Sequence, residues 1–169
     1  MPGLPYEKSI NEEDEAETLE ITVKDKYKDI KVVISLSIFE KYDCVIRNTT
    51  IKNDTDTVFN LERAMSITHD FDRTDFDLIH FPGIYALERQ FRRESLSEGD
   101  KVMQSNTWRS SHEHNPFVML ADKDANETYG DVYAFSIMYS GSFKCNAYVG
   151  CLGVTRFLRI RTRSAETQV

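Results

Sequence analysis

Leu19-Glu20-Ile21-Thr22-Val23-Lys24 and Ile30-Lys31-Val32-Val33-Ile34-Ser35-Leu36-Ser37-Ile38 decide the fold class. In both stretches aliphatic side chains recur at every second position, the period of a pleated strand with one apolar face. Asp43-Cys44-Val45-Ile46-Arg47-Asn48-Thr49-Thr50-Ile51 and Thr57-Val58-Phe59-Asn60-Leu61-Glu62 are two further β-rich runs. Lys52-Asn53-Asp54-Thr55-Asp56 between them has turn chemistry, because Asn and Asp tolerate left-handed geometry and bond their own backbone. Further along, Val132 to Tyr139 alternates again, with Tyr133, Phe135, Ile137 and Tyr139 on one side. Ala86-Leu87-Glu88-Arg89-Gln90-Phe91-Arg92-Arg93 holds good helix formers, yet it also alternates, with Tyr85, Leu87, Arg89 and Phe91 together. Among so many strands the strand reading is favoured. The expectation is an all-β chain folded as an antiparallel β-sandwich.

Composition narrows the class. At 169 residues with 40% hydrophobic side chains, the chain is long enough for one domain with a real core. Its formal net charge of −7 disfavours nucleic acid, whose phosphates call for Lys and Arg. No apolar run approaches the ~18 residues of a membrane span, and Met1-Pro2-Gly3-Leu4-Pro5-Tyr6 lacks a signal-peptide layout. Cys44, Cys145 and Cys151 make an odd count without metal-type spacing, which suits reduced thiols in the cytoplasm. Charge is uneven: Glu12 to Glu17 is an acidic run, while Arg156, Arg159, Arg161 and Arg163 crowd the far end.

Candidate chemistry is sparse. His112-Glu113-His114 would place two imidazoles on one face of a strand, as a metal site requires. A third ligand is needed, however, and no spacing ties His69 or His80 to this segment, so a polar strand end before Asn115-Pro116 is favoured. Asp70, Asp72, Asp75 and Asp77 could ligate calcium or furnish a glycosidase-like acid/base pair. They do not match an EF-hand loop, and a solvated connection with Phe71 and Phe76 anchored inward is the plainer expectation. Cys44 and Cys145 sit in apolar strand patterns and are expected to be packed. There is no nucleophile elbow, phosphate loop or dinucleotide fingerprint. No metal or organic cofactor is implied.

Three longer motifs carry a resemblance. They are Asp77-Leu78-Ile79-His80-Phe81-Pro82-Gly83-Ile84-Tyr85-Ala86-Leu87-Glu88-Arg89, then Ser110-Ser111-His112-Glu113-His114-Asn115-Pro116-Phe117, then Gly130 to Phe143. In that order they resemble the N-terminal β-domain of family 36 glycoside hydrolases, the bacterial α-galactosidases. The resemblance runs in one register from about Gly3 to about Arg156. It implies part of a β-supersandwich, galactose-mutarotase-like in type, that in the whole enzyme precedes a catalytic (β/α)8 barrel.

The resemblance also sets limits. Family members act as retaining hydrolases through two barrel aspartates, one in a Lys-Trp-Asp context. This chain has no Lys-Trp-Asp, and its single tryptophan, Trp108, lies in the β-domain region. It is therefore expected to be inactive alone, with no catalytic residue of its own. The family domain carries on the order of a hundred residues before the Gly3-Leu4-Pro5 position, about one small domain. Residues 1–156 are accordingly expected to be a partial sandwich domain. Residues 157–169 read as an atypical basic tail produced by a frameshift or premature stop, since the expected Gly-Ile-Asn-Pro is absent. One sugar contact carries over. The family's Gly-x-Trp aromatic lines the substrate pocket within a tetramer, and Tyr85 holds that position, a partly buried strand aromatic being the plain alternative. The implied partners are α-galactosides in the context of the full enzyme, and a second copy or a separately encoded barrel. A stand-alone carbohydrate-binding module and an inactive product of a truncated gene are the alternative readings.

Overall fold

The computed structural model describes residues 16–61, 66–107, 113–139 and 141–150, together with the backbone of Thr155–Phe157 and Arg161–Thr162. Trp108, His112, Cys151 and most of the basic tail lie outside these residues. The chain divides into two compact units that meet between Asn60 and Leu61 in sequence.

The first unit is one antiparallel sheet of β1 (Glu17–Lys24), β2 (Ile30–Phe39) and β3 (Cys44–Asn53), in that order. Its register aligns the apolar alternation of β1 with that of β2, and on β3 the same face carries Val45 and Ile51 beside Arg47 and Thr49. Val23 pairs with Val32 and Val32 with Ile51, Ile21 pairs with Ile34, and Leu19 with Leu36. A slip by one residue would turn every one of these side chains to the other face, so the pattern itself fixes the pairing. The opposite face is polar, and there Thr18 and Ser37 share a hydroxyl hydrogen bond of 2.9 Å. The β1–β2 connection is locked by Asp25, whose Oδ1 accepts the backbone N–H groups of Tyr27 and Lys28 at 2.8 and 2.7 Å. A single 3-10 turn, Glu40–Tyr42, joins β2 to β3 and ends at Asp43 with φ of 48°.

The second unit is a two-layer sandwich. One sheet runs β6-β5-β8-β9, formed by β5 (Phe76–Pro82), β6 (Arg92–Ser95), β8 (His114–Asp122) and β9 (Val132–Ser136). In the other, β10 (Phe143–Val149) lies between β7 (Gly99–Ser105) and β11 (Thr155–Phe157), with β4 (His69–Phe71) beyond β11. Backbone pairing of β12 (Arg161–Thr162) with Phe143 and Lys144 also joins this sheet. Phe76, Leu78, Val118 and Leu120 from the first layer meet Phe71, Met103, Cys145 and Ala147 from the second in one core. Phe76, Leu78 and Leu120 are fully buried, each contributing about 1.5–3 kcal/mol of transfer free energy. Tyr133 closes the core edge-on against Phe71 and Phe76, at 4.9 and 6.0 Å between ring centres.

The all-β, antiparallel expectation holds, with three local corrections. Thr57 to Leu61 forms no strand, and Glu62 is outside the described residues. Ala86 to Phe91 is neither helix nor regular strand, because Ala86 and Arg89 take φ of 65° and 54°, which break both ladders. Cys44 is exposed rather than packed, since it opens β3 just after the left-handed Asp43; Cys145 is buried as expected.

Candidate functional site

Beyond β5 the chain makes a closed projection that carries Tyr85. Its base is fixed by Gln90 N–H donating to Pro82 O (2.6 Å) and Gly83 N–H to Glu113 O (2.9 Å). Phe81 packs edge-on against Phe91 and tilted against Phe117, with ring centres 6.1 and 5.9 Å apart. At the tip Ile84 and Leu87 exchange both backbone hydrogen bonds, at 3.1 and 2.9 Å, leaving a two-residue turn of Tyr85 and Ala86. Ala86 occupies the left-handed region, at a cost of roughly 1–2 kcal/mol for a residue with a Cβ. The Glu88 carboxylate offsets part of that cost by accepting the Ala86 N–H at 3.2 Å. Tyr85 is therefore 95% exposed on a turn whose ends are tied, and Ile84 and Leu87 beside it are also open. The partly buried strand aromatic of the alternative reading is not what the fold places there. An exposed phenol ring on such a turn offers an apolar face and a hydroxyl, the surface a sugar stacks on.

Close to the base of this projection lies a polar cluster that links the two layers. His80, 93% buried on β5, makes a 2.6 Å bond through Nε2 to Glu94 Oε1 on β6. The other Glu94 oxygen accepts from the Lys101 ammonium on β7. His114, the first residue of β8, lies parallel to His80 with ring centres 5.9 Å apart. Thus the fold brings His80 to the His112-Glu113-His114 segment, a proximity that spacing did not reveal, although His112 itself is not described. Among the described residues no group of three or more His, Cys, Asp or Glu side chains is arranged to hold a metal ion.

The carboxylates are tied to cations rather than poised for proton transfer. Asp77 is buried, and burial pushes its carboxyl up, but the Ser95 hydroxyl and the Arg93 guanidinium outweigh this and hold it below the usual value. Lys101, and after it His80, hold Glu94 below its usual value despite partial burial. Asp75 is held down by Arg73, which bonds it through Nε at 2.7 Å. A general acid in glycoside hydrolysis needs a raised carboxyl, and these three are lowered. His80 engages the Glu94 carboxylate through Nε2, and among the described residues its buried Nδ1 meets no partner. The cysteine core is equally inert: burial pushes the Cys145 thiol far up.

Comparison with known proteins places this geometry. The model of the glycosyl hydrolase family 36 N-terminal domain matches residues 1–160. The chain belongs to this family. It is 37% identical over 156 residues to α-galactosidase AgaA of Geobacillus stearothermophilus, covering 92% of this chain and 21% of that enzyme. Against α-galactosidase Mel36A of Lactobacillus acidophilus, identity is 35% over 144 residues, with 85% and 20% covered. The crystal structure of AgaA superposes with a TM-score of 0.82 at 36% identity, over 88% of this chain and 21% of that one. Variants of AgaA have been solved in complex with raffinose and with stachyose. The chain thus spans about a fifth of the length of these relatives. Within this family 36 domain, Glu94 and Lys101 are the residues that local sequence did not flag. No motif joins them to His80; only the pairing of β5 with β6 and the packing of β7 do so.

Proposed function

We propose that this domain is the non-catalytic N-terminal part of a retaining α-galactosidase acting on terminal α-galactosides such as melibiose and raffinose. It packs on the catalytic barrel, supports the oligomer and presents Tyr85 to the substrate pocket. The observation that carries this reading is the match of residues 1–160 to the family's N-terminal domain, with catalytic aspartates expected on a barrel that lies beyond it. The lowered carboxyls of Asp75, Asp77 and Glu94 support a non-catalytic role. Free thiols at Cys44 and Cys145 suit a cytoplasmic location. Residues 1–156 form the domain proper and residues 157–169 its divergent tail.

Purified chain should release no phenol from an aryl α-galactoside above the blank, and measurable hydrolysis would overturn the non-catalytic assignment. Added to a family 36 barrel lacking this domain, it should restore activity, and Tyr85→Ala should raise KM with little effect on folding. The 95% exposure of Tyr85 also favours a second reading, a free-standing sugar-binding module. Raffinose binding by the isolated chain, lost in Tyr85→Ala, would select that reading; no binding would reject it.

A further inference from the structure

Two imidazoles sit where the Tyr85 projection leaves the second unit. His114, the first residue of β8, is partly buried and pairs in register with Pro82, the last residue of β5. Two residues before Pro82, the buried His80 lies parallel to it, with ring centres 5.9 Å apart. The β5–β8 ladder shifts register between His80 and Pro82, so the Pro82–His114 pair stands apart from the regular run of Phe76 to His80. Pro82 has no N–H to give, and the base is closed instead by Gly83 N–H to Glu113 O and Gln90 N–H to Pro82 O. Charged groups surround the pair on each side. Glu94 of β6 bonds both His80 and Lys101 of β7, Arg92 of β6 stands opposite His80 in register, and Glu113 precedes His114. β9, Val132–Ser136, brings no charged side chain. Because Lys101 and then His80 hold Glu94 ionised, its Oε1 accepts and His80 Nε2 carries the proton.

We propose that the His80–His114 stack is an acid-sensitive latch: proton uptake by His114 drives its ring from beside His80, opens the Pro82–His114 end of the ladder and frees the base of the projection. A charged imidazole is disfavoured both by partial burial and by a second imidazole stacked on it. Glu113 attracts a proton to His114, but burial, and after it His80, outweigh that pull. Opening is the economical way out. His114 is terminal in β8, so its release leaves the pairs from Val118 to Asp122 in place, a local opening rather than a global one. The sign follows from linkage. Once released, His114 recovers its ordinary value of 6.5, above the value it has in the closed form. The closed form is therefore fully favoured above pH 6.5, and opening gains up to about tenfold per pH unit below it until the closed form also titrates. The latch acts on the backbone of the projection, and it holds whether or not Tyr85 meets a sugar.

Amide hydrogen exchange of the full chain, followed by NMR from about pH 7.5 to about pH 5 and corrected for the intrinsic pH dependence of exchange, reads the latch directly. The Gly83 and Gln90 amides, which close the base, should open up to about tenfold more per pH unit below 6.5 and level off where the His114 ring protons titrate in the same samples. Low concentrations of urea should leave their rates unchanged, as a local opening requires, while the Leu120 amide in the core exchanges more slowly at every pH. His114→Gln should keep the protection seen at neutral pH and lose the acid acceleration. Gly83 and Gln90 amides that stay flat across this range overturn the proposal, as does a His114 ring that titrates at or above 6.5. So does acceleration that follows Leu120 and urea, because the opening is then global unfolding. Wild-type chain alone supplies these three outcomes, so the test stands even where His114→Gln fails to fold.

Discussion

Arg93→Ala removes four hydrogen bonds at once from the second unit. The guanidinium donates from Nε to Asp77 Oδ2 at 2.8 Å, from Nη1 to Ala125 O at 2.7 Å, and from Nη2 to Asp122 O and Lys123 O at 2.8 and 2.9 Å. It thereby ties β5 and β6 to the turn that follows β8. Gly130 belongs to the same turn, with φ of +90°, and a Cβ there would come within 2.7 Å of the Ala125 backbone. Without Arg93, the Asp77 side chain, 11% exposed, keeps among the described residues only the Ser95 hydroxyl at 2.7 Å. Breaking a buried ion pair on one side costs about 3–5 kcal/mol. Arg93 is 29% exposed, so water reaches part of the vacated space and the orphaned carbonyls of Asp122 and Lys123. A net loss of about 2–4 kcal/mol follows. For a unit of roughly 100 residues, this is a fall in Tm of about 10–25 °C by calorimetry or circular dichroism.

A double-mutant cycle with Asp77→Asn separates the pair from its surroundings. The double variant should lose less than the sum of the single losses, because each single change strands the other partner. Acid unfolding supplies the second arm. The Asp77 carboxyl is held below its ordinary value of 3.8 in the fold, so the unfolded chain takes up its proton first. Its contribution to stability is present above that value and is lost as pH falls through the folded pKa. The wild-type and Arg93→Ala curves should therefore converge in acid. A loss below about 0.5 kcal/mol at neutral pH, the range of ordinary surface substitutions, would refute the reasoning.

Burial, and secondly the nearby His80, hold the His114 imidazole below its usual value of 6.5 against the pull of Glu113, so its neutral form belongs to the fold. Stability should drop as pH falls below 6.5 through the folded pKa, and urea midpoints of His114→Gln should lack that drop. Ala86→Gly relieves a left-handed residue worth roughly 1–2 kcal/mol but loosens the unfolded chain by about 0.4–1, so a gain of about 0.5–1 kcal/mol in urea unfolding is expected. Leu120→Ala empties a fully buried position between the two layers and should cost about 2–5 kcal/mol.

β1 and β2 of the first unit were readable because aliphatic residues recur in both at every second position. Leu19, Ile21 and Val23 align with Leu36, Ile34 and Val32 in the observed register. The projection was not readable in the same way. Tyr85, Leu87, Arg89 and Phe91 alternate as a strand would, yet two left-handed residues interrupt them, and neither is the Gly or Asn that signals such geometry. Thr57 to Leu61 has β-rich composition, yet among the described residues it reaches no more than a lone bridge position at Asn60. The anchoring of Phe71 and Phe76 was visible, since each is an isolated aromatic among acids with only one direction to go. The His80–Glu94–Lys101 link was invisible because three strands contribute one residue each, and separation in sequence carries no record of cross-strand pairing.

The two polar features of the second unit explain each other. Proton transfer needs a group left partly unsatisfied, whereas Asp75, Asp77 and Glu94 are each met by a cation that lowers the carboxyl. Those pairings hold the strands from which the Tyr85 turn projects: Glu94 joins β6 to β5 and β7, and Asp77 with Arg93 joins β5 to the turn after β8. The left-handed Ala86 persists because that frame and the Pro82–Gln90 closure over-determine the turn. Charge that could have been chemistry is therefore committed to rigidity. What the rigid frame carries at its tip is one aromatic ring, Tyr85, exposed on a turn whose ends are tied.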